Sequence, residues 1–413
     1  MTADPTGRLG RSRLKRSLTT SFLMGFTSGV PFLVTATLVQ AWWAEAGLDL
    51  KIIGLLALTG LPYTFKWAWS FWLDVYDPPL FAAWGRRRGW LLLSQAAIFT
   101  GFWFLSFLDP GQVEAVFALC LALAFASATQ DVVVDAYRRE DLAETDLAPG
   151  SAAYIWGYRL GMLVVGGGGL WAADYLGLPA VFRLSAFLLL LGPLTMTFSP
   201  EPEVFRVRPA GLGETIWRPL AQFFKRPAAV SILLFIFFYK FGDQLATSLT
   251  TAYYLTLGYE KKDIGAVSKI LGSLATLAGV ALGGWGAARL GLKRSLWIFG
   301  FLQMVTIPGF ILLYHLPVHP ASLGLVVGME NLAAGAGTSA FVAFMTGQTD
   351  RGFSASQYAL LSSLMALPRT LLSAPSGWLA ETLGWPGFYW LSTALALPGF
   401  VLLHRLSRRR VFS

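Results

Sequence analysis

The sequence has almost none of the residues from which disulfides, metal centres and histidine-based active sites are built. Among 413 residues there are one cysteine, Cys120, and three histidines. This excludes a disulfide framework, a cysteine-rich zinc site and a redox-active cysteine pair. No Gly-x-x-x-x-Gly-Lys-Ser/Thr segment is present, so there is no P-loop for ATP. We therefore expect no cofactor, no metal and no enzymatic activity.

Charged residues are also scarce. They make up 13% of the chain, against about 25% in a typical soluble domain, while 55% of residues are hydrophobic. Many uncharged runs approach the roughly 20 residues that a helix needs to cross a bilayer. The net charge of +9 does not indicate nucleic acid, because the positive residues form short clusters between apolar runs instead of one basic face.

These runs predict twelve transmembrane helices in an all-α membrane protein. A polar, proline-containing stretch over 199–228 separates six helices from six and contains a predicted interfacial helix over 212–224. We predict an N-terminal six-helix bundle over 1–198, a cytoplasmic linker over 199–228 and a C-terminal six-helix bundle over 229–413. The first apolar run is too long for a cleaved signal peptide, and we interpret it as a retained helix. The predicted spans are 18–46, 52–74, 90–108, 114–136, 151–172, 180–198, 229–257, 264–290, 296–314, 322–347, 356–379 and 387–405.

The distribution of lysine and arginine predicts the orientation. One set of alternate loops and both termini carry 23 of these residues, and the other set carries 4. Because positive residues accumulate in cytoplasmic loops, we expect both termini to lie in the cytoplasm.

An internal repeat supports the division into two halves. The pattern at Ala41-Trp42-Trp43, Gly47 and Ile53-Gly54 recurs 211 residues later, at Ala252-Tyr253-Tyr254, Gly258 and Ile264-Gly265. A second pattern, from Trp171 to Pro179, recurs 207 residues later, from Trp378 to Pro386. These shifts correspond to an even number of helices, so the halves are parallel repeats. This is the arrangement of a major facilitator transporter.

Charged residues inside the predicted spans are the candidate functional residues. Each costs roughly 2.5 to 3.5 kcal/mol at a helix centre, or about 20 to 30 kcal/mol together if uncompensated. They must be paired or hydrated, and such residues mark substrate or ion pathways. Five of the nine are positive, which suits an anionic substrate. Carboxylates removed from water can exchange protons near neutral pH. The nine are Lys66, Asp131, Asp135, Arg159, Lys240, Asp243, Lys269, Glu330 and Arg369.

Several of these residues also have a purely structural interpretation. Asp135 could form an ion pair with the basic 2–3 loop, and Lys240 could neutralise Asp243 one helical turn away. Arg159 and Arg369 could be gating residues or anion ligands. Trp42 could belong to an interfacial aromatic belt or contact a sugar.

The loop between the second and third spans resembles a degenerate form of the major facilitator loop signature, an aspartate followed by glycine and basic residues. Asp74 ends the second span, and Gly85-Arg86-Arg87-Arg88-Gly89 precedes the third. The spacing is longer than usual in that signature, and simple positive-inside charge would also account for the arginines. We assign gating to Asp74, Arg86, Arg87 and Asp135.

Several segments resemble the AmpG muropeptide permease family. They are Gln40-Ala41-Trp42, Gly85-Arg86-Arg87-Arg88-Gly89-Trp90, Ser127-Ala128-Thr129-Gln130-Asp131, Gly157-Tyr158-Arg159, Tyr239-Lys240-Phe241-Gly242-Asp243, Glu330-Asn331, Gly337-Thr338-Ser339-Ala340-Phe341 and Ser354-Ala355-Ser356-Gln357-Tyr358. The resemblance implies a proton-driven importer of anhydro-muropeptides across the bacterial inner membrane for peptidoglycan recycling. In bacteria with inducible AmpC, that supply also governs β-lactamase induction.

On this basis we assign a role to each candidate residue. We expect a monomeric transporter whose partners are an anionic glycopeptide, protons and the lipid bilayer. Proton coupling is assigned to Asp131, Glu330 and Asp243. An acetyl-CoA or drug transporter of the same superfamily and a membrane-embedded transferase remain alternatives. Substrate binding is assigned to Gln130, Arg159, Lys240, Lys269, Asn331, Gln357, Arg369, Lys66 and Trp42.

Overall fold

The computed structural model describes residues 5–203, 212–226, 228–409 and 411, and its regular structure in these ranges is entirely helical. Helices of the first part are α1 (Pro5–Leu33), α2 (Val39–Glu45), α3 (Leu50–Gly54), α4 (Leu61–Phe65), α5 (Trp67–Val75), α6 (Arg86–Leu105), α7 (Val113–Asp141), α8 (Leu147–Leu163), α9 (Gly169–Leu176), α10 (Leu178–Leu188), α11 (Leu191–Phe198) and α12 (Leu212–Phe224). Those that follow are α13 (Ala229–Tyr239), α14 (Phe241–Thr247), α15 (Thr250–Thr256), α16 (Lys261–Ile264), α17 (Gly272–Leu290), α18 (Leu292–Thr306), α19 (Gly309–His315), α20 (Pro320–Gly347), α21 (Ser354–Ala394) and α22 (Leu397–Arg408).

Each of the twelve predicted spans lies on helix, but many spans are interrupted. Seven continuous helical stretches in the described residues are long and apolar enough to cross a membrane. The second span is not one of these seven stretches, because a 3₁₀ segment, Leu55–Gly60, and Lys66 divide it into short helices. Segments of π-helix break the first, fifth and eighth spans at Val34–Leu38, Val164–Gly168 and Gly265–Leu271. The number of membrane crossings therefore stays a prediction.

Several helices extend beyond the predicted spans, and one prediction is confirmed. The fourth span was expected to end at residue 136, whereas α7 continues to Asp141 because no glycine or proline stops it. The third was expected to begin at residue 90, whereas α6 begins at Arg86 after Gly85, whose φ is +97°. Residues that we assigned to loops thus belong to helices. The helix predicted over 212–224 is present as α12.

The chain forms two compact units. Unit 1 comprises the chain up to Pro219 together with Thr349–Leu360, and unit 2 comprises Leu220–Gln348 and the chain from Leu361. The first turns of α21 therefore belong to unit 1. The predicted domain boundaries at residues 198 and 229 stay a prediction.

Glycine brings helix backbones into direct contact within each unit. In unit 1, a Cβ added at Gly157 of α8 would lie 1.9 Å from the carbonyl oxygen of Phe22 in α1. In unit 2, a Cβ at Gly279 of α17 would lie 2.1 Å from the carbonyl oxygen of Leu332 in α20. Close packing of small residues is a main source of helix association in membranes. These crossings hold the helices that carry the charged residues described next.

Candidate functional site

Asp131 lies on α7 among polar and aromatic side chains of unit 1. It is buried, and its Oδ1 atom has no hydrogen-bond partner within the described residues. Ser28 lies within hydrogen-bonding reach, and Lys66 and Asp135 lie within electrostatic range. Tyr63 and Tyr158 lie within electrostatic range of the same carboxylate. The arrangement leaves one carboxylate oxygen available to a proton or a substrate donor.

A line of alternating charges continues from this point along α7. Lys66 occupies the junction of α4 and α5, and its Nζ lies 4.0 Å from Oδ2 of Asp135. Asp135 in turn accepts a hydrogen bond of 3.0 Å from Arg138. The Arg138 guanidinium lies 4.5 Å from the ring centroid of Tyr154 and donates to the hydroxyl of Tyr358. Charge is therefore balanced locally although these side chains are buried.

The structure separates Asp135 from the arginine of the basic loop that we considered as its partner. Asp135 pairs with Arg138 and Lys66, whereas Arg87 is taken by Asp74 and Glu140. The difference follows from the extended α7, because a helix that reaches Asp141 places Arg138 one turn after Asp135.

Unit 2 contains a second charged cluster, at a break in the helix of the seventh span. Lys240 separates α13 from α14, and its Nζ lies 3.6 Å from Oδ2 of Asp243. This is the pairing that we considered as a purely structural interpretation of the two residues. Lys240 also donates to Oε1 of Gln303 at 3.2 Å and to the carbonyl oxygen of Ala334 at 3.4 Å. The lysine thus joins α13, α18 and α20.

Glu330 of α20 belongs to the same cluster. It is buried and lies within electrostatic range of both Asp243 and Lys240. Its Oε2 accepts a hydrogen bond of 2.8 Å from Asn331, whose Oδ1 accepts one of 2.9 Å from Thr276. Two carboxylates therefore share one lysine, and this leaves the cluster one positive charge short when both are ionised.

A third cluster joins the basic loop to α7 and to the start of α21. Arg87 is fully buried, and its Nε donates to both carboxylate oxygens of Glu140 at 3.0 and 3.1 Å. Its Nη2 donates to Asp74 at 2.7 Å and to Ser354 at 3.0 Å. Arg86 donates to the backbone carbonyl of Asp74 and lies 3.7 Å from Glu140.

Asp74 also caps the N-terminus of α21. Its Oδ1 accepts the backbone N–H of Ala355 at 3.1 Å, and its Oδ2 accepts the N–H and hydroxyl of Ser356 at 2.8 and 2.6 Å. A carboxylate at this position satisfies helix N–H groups and complements the helix dipole. One carboxylate thus connects α5, α6 and α21, which are distant in sequence.

The remaining candidate residues are distributed differently. Gln130 is buried and donates to Ser28 at 3.3 Å, while Arg159 and Arg369 are exposed. Gln357 is buried. Its side-chain oxygen accepts a hydrogen bond from the N–H of Asp350 and its side-chain nitrogen donates one to the carbonyl of Pro219, so both ends of the amide are bound to backbone groups. The side chain of Lys269 lies outside the described residues.

Trp42 lies in the apolar core of unit 1, where it packs edge-on against Phe182 with ring centroids 5.3 Å apart. Trp43 beside it is fully buried. The aromatic pair therefore serves packing in this structure, in contrast to both roles that we considered for Trp42.

Sequence reasoning missed several members of these clusters. Glu140 and Arg138 were counted as loop residues although they are buried and central to two clusters. The sequence does contain a signal that α7 continues this far, because no glycine or proline lies between Asp131 and Asp141. Tyr63, Ser354 and Ser356 had no charge to draw attention to them. Within the described residues no group of histidine, cysteine and carboxylate side chains could hold a metal ion.

Comparisons with known proteins agree with this arrangement. Residues 18–371 match the model of the Major Facilitator Superfamily. The anhydromuropeptide permease of Escherichia coli K12 is 42% identical over 384 residues, covering 92% of this chain and 78% of the relative. Putative transporter AmpG 4 of Rickettsia conorii is 32% identical, covering 94% and 96% of the two chains.

Solved structures with low sequence identity share the fold. The major facilitator proton:xylose symporter XylE superposes with a TM-score of 0.69 at 14% identity, covering 96% of each chain. The predicted all-α major facilitator fold is therefore confirmed, and the relatives are named permeases and transporters, not enzymes. The chain is a multi-pass membrane transporter that belongs to the major facilitator superfamily and, within it, to the AmpG permease family.

Proposed function

We propose that this protein imports anhydro-muropeptides from the periplasm to the cytoplasm and draws its energy from the proton gradient. The observation that carries the proposal is the 42% identity, over 92% of the chain, to a protein named anhydromuropeptide permease. The buried charges support a coupled transporter, because their placement in a membrane is costly unless it serves a substrate or ion pathway.

The proton-binding groups in this proposal are Asp131, Glu330 and Asp243. Asp131 can accept a proton on Oδ1 without losing a hydrogen bond within the described residues. Glu330 and Asp243 compete for Lys240, so a proton on either carboxylate would release the lysine to the other. Each unit thus offers one place where protonation changes the local pairing of charges.

Cations and amides of each unit are assigned to substrate binding. Arg159 and Arg369 are exposed and suit the carboxylates of an anionic glycopeptide. Lys66 and Lys240 are buried beside the proton-binding groups, so they would connect substrate binding to protonation. Gln130 and Asn331 are neighbours of Asp131 and Glu330 in sequence and suit sugar hydroxyl groups. Lys269 completes the proposed set.

Alternating access in this proposal depends on the cluster of Asp74, Arg87, Glu140 and Ser354. Its hydrogen bonds hold the start of α21 against α5 and α7, so a movement of α21 must break several charge-assisted contacts together. Arg86 adds a further contact to Asp74 and Glu140. We assign this cluster the role of a latch that favours one conformation of the transporter.

The same proposal places the protein in the bacterial inner membrane as a monomer with both termini in the cytoplasm. The support is the asymmetry of 23 to 4 in lysine and arginine between the two sets of loops.

Uptake of a labelled anhydro-muropeptide into proteoliposomes tests the function. We expect accumulation when the outside is more acidic than the inside, and only equilibration when an ionophore removes the gradient. Unlabelled anhydro-muropeptide should compete, whereas acetyl-CoA should not. Uptake that is indifferent to the gradient would contradict proton coupling, and competition by acetyl-CoA alone would contradict the substrate.

A further inference from the structure

Unit 1 carries a groove that no part of the transport mechanism uses. It lies between α6 and the paired helices α10 and α11, and it has a volume of about 310 Å³. It is open to the surface on an apolar side, where Leu190 is about half exposed. Its lining includes Phe81, Leu92, Gln95, Phe99, Leu190 and Pro193.

Two polar side chains line this otherwise apolar groove: Thr100, which is exposed, and Gln95, which is buried. Gln95 is 2% exposed, and neither its Nε2 nor its Oε1 has a hydrogen-bond partner within the described residues. The amide lies against Gly192, where an added Cβ would be 2.0 Å from Nε2. A buried amide without a partner is unfavourable by roughly 1–3 kcal/mol, and such groups are rare in folded proteins. Gln95 therefore points to a ligand that supplies an acceptor.

A cation marks one end of the groove. Arg88 lies two helical turns before Gln95 on α6, and its Nη2 donates to the carbonyl of Met196 on α11 at 2.7 Å. Its guanidinium lies 5.4 Å from the ring centroid of Trp84. The nearby carboxylate of Glu201 accepts the backbone N–H groups of Arg87 and Arg88. That carboxylate therefore caps α6, and its charge is offset by the helix dipole.

The length of α6 from Arg88 to Phe99, beside the groove, matches the thickness of one leaflet of a bilayer. From Arg88 to Phe99 the helix rises about 16 Å, close to half of the roughly 30 Å hydrocarbon core. The contacts of Gln95 with Gly192 and of Arg88 with Met196 are four residues apart on α11, or about 6 Å. In a glycerophospholipid only a few bonds separate the phosphate from the first ester carbonyl. Arg88 and Gln95 can therefore bind the same lipid molecule.

We propose that this groove binds a glycerophospholipid with an anionic headgroup. The phosphate meets Arg88, an ester carbonyl accepts a hydrogen bond from Nε2 of Gln95, and one acyl chain follows Phe99. Basic residues beside grooves between transmembrane helices bind anionic lipids. The order of groups along the groove, from cation to amide donor to apolar wall, is the order of phosphate, ester and acyl chain in the lipid.

Native mass spectrometry of the full chain in mild detergent tests the proposal with phosphatidylglycerol and phosphatidylcholine of identical acyl chains. We expect the wild type to retain phosphatidylglycerol preferentially. Gln95→Leu should weaken binding of both lipids about fivefold, as expected for the loss of one hydrogen bond. Arg88→Gln should abolish the preference between them. Arg183→Gln removes an exposed cation from the middle of α10 and should match the wild type.

A thermal shift assay distinguishes ligand binding from a structural role of the amide. Without lipid, Gln95→Leu should have a Tm equal to or above that of the wild type, because an unpartnered buried amide is removed. Added phosphatidylglycerol should raise the Tm of the wild type more than that of Gln95→Leu or of Gly192→Ala, which displaces the amide. Equal lipid retention and equal shifts in wild type and Gln95→Leu would overturn the proposal. A change in oligomeric state without a change in lipid retention would assign the groove to a second copy of the chain.

Discussion

At the scale of single residues, some of the buried charges have partners close in sequence. Asp135 and Arg138 are three residues apart, as are Lys240 and Asp243. Pairing at helical spacing offsets part of the cost of placing these charges in a membrane. Asp131 differs, because its Oδ1 has no hydrogen-bond partner within the described residues. It is therefore the residue at which a change in protonation disturbs the fewest other contacts.

We expect Asp131→Asn to reduce gradient-driven uptake to the level of protein-free vesicles while the protein still folds. The carboxamide has the same shape and can keep the contact with Ser28, but it cannot take up and release a proton. Uptake at several external pH values, with and without an imposed gradient, measures the effect.

Asp174→Asn is the matched control, since Asp174 is an exposed carboxylate near the end of α9 in the same unit. It should transport like the wild type. If Asp131→Asn kept the uptake and the pH dependence of the wild type, Asp131 would have no part in proton coupling.

At the scale of helices, the contacts of α21 join distant parts of the sequence. Its first turn is held by Asp74 from α5, by Arg87 from α6 and by Glu140 from α7. Arg87 forms ion pairs with both Asp74 and Glu140 through its side chain, at 2.7 and 2.5 Å. The start of α21 therefore depends on a buried network centred on one guanidinium.

We expect Arg87→Leu to lower the free energy of unfolding by about 3–5 kcal/mol, the usual cost of leaving buried carboxylates without their cation. Thermal unfolding in detergent measures this loss as a fall in Tm. A variant that still inserts should also show faster proteolysis near the start of α21.

The exposed pair Arg218–Glu214 provides the comparison for Arg87. These side chains lie 2.9 Å apart but are each more than a third exposed, and such pairs contribute about 0–1 kcal/mol. Arg218→Gln should therefore leave the Tm almost unchanged. Equal effects of the two substitutions would show that the Arg87 network contributes no more than a surface ion pair.

At the scale of the whole molecule, the proposed orientation is based on the number of lysine and arginine residues in the loops and termini. The structure places some of the counted residues in helices. Arg138, Arg139, Arg86 and Arg87 are buried in helices, although we counted them with the cytoplasmic loops. Removing these four residues still leaves a large excess on the same side. The proposed orientation therefore does not depend on them.

Reporter fusions test the orientation of the chain. We expect a green fluorescent protein fused to the C-terminus to fluoresce, because the fusion would remain in the cytoplasm. Alkaline phosphatase should be inactive at the C-terminus and active when inserted after Gly111, in the loop between α6 and α7. The reverse pattern would place both termini in the periplasm.

The sequence alone was sufficient for features that depend on local composition and repetition. The fold class, the helical nature of all twelve spans and the bounds of α12 all follow from hydropathy, helical spacing and family resemblance. These features could be predicted because each is decided by residues close together in the chain.

Only the tertiary structure decided which distant residues meet. Asp74, Arg87, Glu140 and Ser356 lie up to 282 residues apart and form one network. The same structure placed Trp42 in an apolar core and Gln357 against backbone groups. The reason is that such contacts depend on how helices pack and where they are interrupted. In a chain with so few charges, hydropathy reports burial in the membrane but does not distinguish a lipid-facing position from a position inside a bundle.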